Sequence, residues 1–197
     1  MNKIDKVSKL KILVIDNYDS FTFNLVQLIG KFTQNIIVKR NDKITLEEVE
    51  KINPDKIVIS PGPGVPKDSG ISVDIIKHIG KHTPLLGVCL GHQTIGEVFG
   101  AEVINAPILM HGKSSEVEHS GNGIFKGVNQ NFSAGRYHSL IVNSESVPAD
   151  LEVTSQTEDK IIMGVRHKKY PIEGIQFHPE SILTPEGEKI IKNWLEQ

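Results

Sequence analysis

The sequence predicts an α/β protein with a mostly parallel central sheet flanked by helices and a β-rich C-terminal half. Two observations carry this. Over the first hundred residues, apolar runs of strand length alternate with stretches of helical periodicity, and strands separated by such helices pair in parallel under cover on both faces. From about Ala101 the rhythm changes to successive strand-like stretches with short turns and little helix.

Each element follows in order. "KILVI" (11–15) is a first strand, ending in the turn-forming "DNYDS". Phe21, Leu25, Leu28, Ile29 and Phe32 then share one helical face, with Asp19 or Ser20 placed to cap it. "NIIVKRN" is a second strand, and Thr45 with Glu48 has the spacing of a capping box that opens a helix to about Ile52. "KIVIS" (56–60) is a third strand, followed by the turn-rich "PGPGVPKDSG". A helix over 71–79, a strand over 85–89 and a helix over 92–99 complete this half. Beyond it "AEVINAP", "SSEVEHS", "YHSLIVN", "LEVTSQT", "KIIMGVRH" and "IEGIQFH" read as strands. "PEGEKIIKNWLEQ" reads as a closing helix with Pro185 near its start. Neither an internal repeat nor a low-complexity linker shows, so one domain over 1–197 is expected, large enough for a proper core.

Charge and composition narrow the function. There are 22 basic and 24 acidic residues, a net charge of −2, and no long single-sign block. That argues against a nucleic-acid surface and gives no sign of a membrane patch. No run approaches the ~20 apolar residues of a membrane span, and "MNKIDK" at the start lacks the apolar stretch of a secretion signal. One cysteine can form neither an internal disulfide nor a multi-cysteine zinc site. The expected setting is soluble, reducing and cytoplasmic, with no nucleic-acid or membrane partner.

That single cysteine, Cys89, stands in "PLLGVCLGHQ" where an apolar run gives way to polar residues. Parallel α/β sheets carry functional residues at the carboxyl ends of strands, and Cys89 falls at such an end just before a helix. "GVCLG" has the spacing of the G-x-S-x-G nucleophile elbow with cysteine in the place of serine. Free N–H groups and the positive end of the following helix stabilise a thiolate there. Glycine on both sides, Gly87 and Gly91, looks placed to expose the thiol. A small buried apolar residue is the other reading of the same cysteine.

A cysteine nucleophile needs a base and a group that orients it. Of eight histidines, His78 and His82 read as surface residues, and His119 and His167 fall in turn-like stretches with no obvious partner. His92, close to Cys89 in sequence at the start of the helix that follows it, is expected to point away from the thiol. His111 in "LMHGKSS" and His138 in "RYHSL" could line a cleft or be structural. His178 in "IQFHPES" ends a strand, and Glu180 two residues on faces the same way in extended backbone. Pro179 keeps the segment from becoming helix. Glu180 could then hold the ring's tautomer and support its charge as in a triad, or the two could be a surface pair. "SPGPGVP" follows the third strand at the same sheet edge. Its prolines stiffen it and Gly62 and Gly64 let backbone approach a ligand, though a bare turn would look the same. It is no Walker loop, because no Gly-Lys-Ser/Thr follows.

"GVCLGHQ", "FHPES" and "SPGPG", in this order and spacing, resemble the class I (triad) glutamine amidotransferases, over essentially the whole chain. "DNYDSFTFNL", "HGKSS", "RYHSL" and "FHPESILT" make it similar, within that family, to the glutaminase subunits of anthranilate synthase and aminodeoxychorismate synthase. The resemblance implies a flavodoxin-like fold and the hydrolysis of L-glutamine. In it Cys89 matches the nucleophile, His178 the base and Glu180 its orienter. The backbone N–H groups of Gly62 and Leu90 match the oxyanion hole. Gly62, Pro63, Gly64, Gln93, Ser139 and Leu140 match positions that hold glutamine. It implies no metal and no organic cofactor. Since the sequence shows no synthase domain, it implies that the partner is a separate chorismate-binding synthase subunit, with "DNYDSFTFN" and "HGKSS" as docking and coupling segments outside the triad chemistry. A nucleotide or carbamoyl phosphate synthetase partner, and a non-catalytic module on the same fold, are the alternatives.

Overall fold

The computed structural model describes the backbone of residues 3–197, and side chains throughout except those of Lys3, Ile4, Ile108, Leu109 and His111. A short helix α1 (Lys3–Val7), not foreseen from the sequence, precedes β1 (Ile12–Asp16), α2 (Thr22–Gly30), β2 (Ile36–Arg40), α3 (Leu46–Ile52) and β3 (Lys56–Ile59). Then come a 3-10 turn (Pro66–Ser69), α4 (Ser72–Asp74) running on as a π turn (Ile75–Ile79), β4 (Leu85–Val88) and α5 (Leu90–Val98). The second half holds β5 (Val103–His119), β6 (Phe132–Val142), β7 (Leu151–Gln156), β8 (Ile162–His167), β9 (Ile172–Ile175) and α6 (Gly187–Glu196).

The strands form one nine-stranded sheet in the order β2-β1-β3-β4-β9-β8-β7-β5-β6. The first five are parallel neighbours and the rest pair antiparallel. The parallel part has the flavodoxin-like order, with β9 as its fifth strand, so ligands belong at its carboxyl edge. Strand β1 is buried along its whole length. Ile12 and Val14 join one core cluster with Leu25, Ile29 and Trp194, from α2 and α6. Leu13 and Ile15 join the other with Val49, Ile75 and Ile95, from the segments bearing α3, the π turn and α5. Alternate residues of one strand therefore anchor two helical layers, which is why the strands read as unbroken apolar runs.

Several boundaries differ from expectation for local reasons. The Thr45–Glu48 capping box forms as read. Helix α2 instead has Phe21 at its N-cap without a side-chain bond, and Asp19 Oδ1 accepts the Phe21 N–H one residue earlier. Helix α5 starts at Leu90 because Cys89 turns the chain directly into it. "AEVINAP" from Val103 on and "SSEVEHS" as far as His119 fall in one 17-residue strand, β5, whose irregularities are absorbed by register shifts against β6 and by Gly112 at φ 66°.

Candidate active site

Strands β3, β4 and β9 are neighbours, and the loops leaving their carboxyl ends carry Gly62, Cys89 and His178. Cys89 has φ 52° and ψ −100°, a left-handed conformation that costs a non-glycine residue strain and persists where packing over-determines it. That packing is visible. A Cβ on Gly87 would lie 2.5 Å from the Gly91 carbonyl, and one on Gly91 2.6 Å from the Ile59 carbonyl oxygen. The two glycines of "GVCLG" thus serve the close seating of α5 on β3 and β4. Contrary to the expectation of exposure, Cys89 is only 6% exposed. It sits in the wall of a cavity of ≈150 Å³.

That cavity is lined by Gly62, Pro63, Gly64, Cys89, Gln93, Tyr137, His138, Ser139 and Leu140. All six residues that the resemblance matches to glutamine binding are therefore on one surface with the thiol. Larger cavities along β5 and β7, and between residues 110–116 and 157–161, do not include Cys89. The Gly62 turn is braced from below. Asn17 donates its backbone N–H to Ser60 Oγ (2.9 Å) and its Nδ2 to the Ser60 carbonyl (2.8 Å), and Asn41 Nδ2 donates to Asn17 Oδ1 (3.0 Å). A Cβ on Gly62 would stand 2.5 Å from Asn17 Cβ and 2.7 Å from Leu90 Cδ2, so only glycine fits there. Among the described residues, neither the Gly62 nor the Leu90 N–H donates to another group of the protein.

His178 and Glu180 are in contact, Nδ1 to Oε1 at 2.7 Å, both side chains buried. The backbone there is a turn beyond β9, not the extended strand end expected from the i, i+2 spacing. The turn is held by the His178 N–H on the Gly135 carbonyl (3.0 Å) and by Thr184 Oγ1 on the His178 carbonyl (2.7 Å). Phe21 and Tyr137 meet the imidazole edge-on, with ring centroids 5.6 and 5.0 Å away. Nε2 is buried with no partner in hydrogen-bonding geometry, and the Cys89 thiol is the group acting on the ring's charge from outside the Glu180 pair. Burial opposes the imidazolium, but Cys89 and Glu180 outweigh it and lift the His178 pKa to about 10. The ring holds its proton at neutral pH.

The other histidines sort themselves by contact. His92 is buried against the backbone of Gly174 on β9, and burial drives its pKa to about 3. His138 donates Nδ1–H to the Leu140 carbonyl (2.9 Å), while its Nε2 accepts from Arg136 Nε (3.1 Å). His119 and His167 do have partners: Nδ1 of the first accepts the Gly121 N–H, and Nδ1 of the second accepts those of Lys169 and Tyr170, all at 3.0 Å. The His111 side chain, a possible cleft residue from the sequence, lies outside the described residues. Sequence reasoning passes over Tyr137, Phe21 and Asn17. The last two belong to "DNYDSFTFN", expected as a docking and coupling segment; it also braces the Gly62 turn and packs on His178. Among the described residues no cluster of three or more His, Cys, Asp or Glu is placed to hold a metal ion.

The profile of the family "Glutamine amidotransferase class-I" matches residues 13–197. The chain is 56% identical over 185 residues to anthranilate synthase component 2 of Cyanophora paradoxa, covering 93% of this chain and 97% of that one. It is 52% identical over 185 residues to aminodeoxychorismate/anthranilate synthase component 2 of Bacillus subtilis, covering 94% and 95%. Among solved structures, a candidate GMP synthase subunit from Thermoplasma acidophilum superposes with a TM-score of 0.81 at 26% identity, over 94% of this chain and 92% of that one. The matched span takes in all three loops at the carboxyl edge, and on that ground this chain belongs to the class-I glutamine amidotransferases.

Proposed function

We propose that this chain is the glutaminase component of a two-subunit enzyme, hydrolysing L-glutamine and passing ammonia to a chorismate-using synthase subunit that forms anthranilate, 4-amino-4-deoxychorismate or both. The observation that carries the chemistry is Cys89 in its left-handed turn with the buried His178–Glu180 pair beside it. The names of relatives 56% and 52% identical support the partner class, and the more distant GMP synthase likeness supports the fold they share.

In this reading the Cys89 sulfur bonds to the side-chain carboxamide carbon of glutamine. The carbonyl electron pair moves onto oxygen, which the Gly62 and Leu90 N–H groups receive. His178, charged and oriented by Glu180, gives its proton to the nitrogen, and ammonia leaves a γ-glutamyl thioester. The now neutral ring takes a proton from water, hydroxide adds to the thioester, and the C–S bond breaks to release glutamate. Pro63, Gly64, Gln93, Ser139 and Leu140 hold the amino-acid end. No step calls for a metal or organic cofactor. A catalytic thiol works in a reducing compartment, and we place the chain in the cytoplasm. Among the described residues no helix is long and apolar enough to cross a membrane.

Ammonia released into neutral water is protonated and lost as a nucleophile, so the glutaminase acts docked to the enzyme that consumes its product. The test is Cys89→Ser in the assembled complex. Glutamine-dependent synthesis should fall at least about 10³-fold while ammonia-dependent synthesis stays near wild type. Loss of both in a correctly assembled complex would overturn the reading.

A further inference from the structure

We propose that Gln176 is a further catalytic residue of this site: its side-chain N–H donates to the Cys89 sulfur and favours the thiolate. The inference rests on the nucleophile role proposed for Cys89 and adds a group outside the Cys-His-Glu set.

Gln176 is fully buried just beyond β9, with its backbone N–H on the Met163 carbonyl (3.0 Å). Its Nε2 lies 3.6 Å from Cys89 Sγ. An amide placed by shape alone could present either end to the sulfur. Here one group that can only accept, the Leu140 carbonyl, decides the matter. It receives Gln93 Nε2 at 3.0 Å, so the nitrogen of Gln93 must point that way. The second hydrogen of that nitrogen reaches Gln176 Oε1 at 3.1 Å. With its oxygen engaged as acceptor, Gln176 turns a nitrogen that can only donate toward the sulfur. The same carbonyl fixes His138: Nδ1 carries the proton given to Leu140, leaving Nε2 to accept from Arg136. Burial, then the Arg136 charge, hold His138 down at about 4, so the ring stays neutral and the chain of donors keeps its direction at neutral pH.

With His178 holding its proton, the sulfur faces two donors, the imidazolium and the Gln176 amide. As a thiolate it binds the amide more strongly than a thiol would, because a charged acceptor binds a donor about twice as well as a neutral one. The sulfur gives up its charge on forming the thioester and regains it when hydrolysis expels it, so the donor raises the thiolate population before attack and stabilises the sulfur as it leaves. The ionisable groups around the sulfur are His178 with Glu180 behind it, and His138 with Arg136 behind it. His92, on the helix that Cys89 opens, is turned into Gly174.

The chain has a single cysteine, so alkylation by iodoacetamide reports Cys89 alone, without partner or glutamine. In the full chain, Gln176→Leu should raise the pH midpoint of the alkylation rate by about one unit, and Gln176→Glu, which puts a carboxylate beside the sulfur, by more. Alkylation at pH 7 should slow several-fold in both. In the complex, kcat for glutamine should fall with KM little changed. Gln176→Met, which keeps the length, serves if the leucine variant does not fold. An unchanged midpoint in a folded variant overturns the role of Gln176, and if Cys89→Ser still abolishes glutamine use, the nucleophile reading stands without it. Retention of glutamine use by Cys89→Ser overturns the reading beneath both.

Discussion

His92 stands three residues beyond Cys89 on α5, yet burial turns the two to different ends. Its ring meets the Gly174 backbone, and burial lowers its pKa from an ordinary 6.5 to about 3. The unfolded chain therefore binds a proton between these values that the folded chain refuses, and the histidine's share of stability is lost as pH falls from about 6.5 toward 3. His138, held at about 4, acts with the same sign over a narrower window. His92→Gln should flatten the unfolding free energy against pH between about pH 6 and 4 by up to ~1.4 kcal/mol per pH unit. Chemical denaturation across that range measures it, and an identical slope in the variant would show that the ring titrates normally in the fold. Side-chain chemistry made part of this site legible in the sequence: a thiol calls for an imidazole, and an imidazole for a carboxylate, so Cys89, His178 and Glu180 could be singled out. Tyr137, Phe21 and Gln176 carry no such demand. An aromatic ring or an amide gains its place beside His178 or Cys89 only through tertiary contact.

Helix α5 shows what an element adds to its residues. Its first turn lies so close to β3 and β4 that Gly87 and Gly91 touch across the interface, and this closeness sets where the Leu90 N–H points. Gly91→Ala would put a Cβ 2.6 Å from the Ile59 carbonyl oxygen, a backbone atom that cannot swing aside. The helix must lift by some tenths of an ångström. Stability should drop by about 1–3 kcal/mol, and glutamine turnover should fall further than that loss accounts for, at least about tenfold, because the Leu90 N–H moves with the helix. Denaturant midpoints together with turnover of the surviving folded fraction separate the two effects; full turnover at reduced stability would detach α5 placement from catalysis. At this scale the alternation of apolar runs and helical faces revealed the parallel half of the sheet, and Thr45–Glu48 marked the start of α3. Periodicity could not reveal that the left-handed turn at Cys89 starts α5 two residues early. Nor could it join two strand-like stretches through Gly112 into β5, since a bulge leaves no trace in an apolar pattern.

Across the whole molecule, the carboxyl edge of the sheet gathers the loops that carry Gly62, Cys89 and His178, and the β5–β6 pair rises beside them. Lys113 on β5 lies opposite Arg136 on β6, and Arg136 reaches both Ser115 Oγ (2.9 Å) and His138 in the cavity wall. The "HGKSS" segment is thereby tied to the wall of the Cys89 cavity through one buried guanidinium. Segments that build the site also carry uncovered apolar side chains: Tyr18 is 47% exposed, Phe23 60% and Ile182 94%. An edge of this kind suits a partner that completes the site on docking, and turnover without an acceptor would waste glutamine. The isolated chain should therefore be a slow glutaminase, with docking of the synthase partner raising its rate at least about tenfold. Lys113→Ala, on the exposed face of β5, should leave the isolated rate unchanged and remove most of the activation. Glutaminase rates with and without partner, for wild type and variant, decide it. Four equal rates would sink both the activation and the role of this strand. Equal activation of wild type and Lys113→Ala would remove the strand from the coupling and leave the activation to the surface around Tyr18 and Phe23.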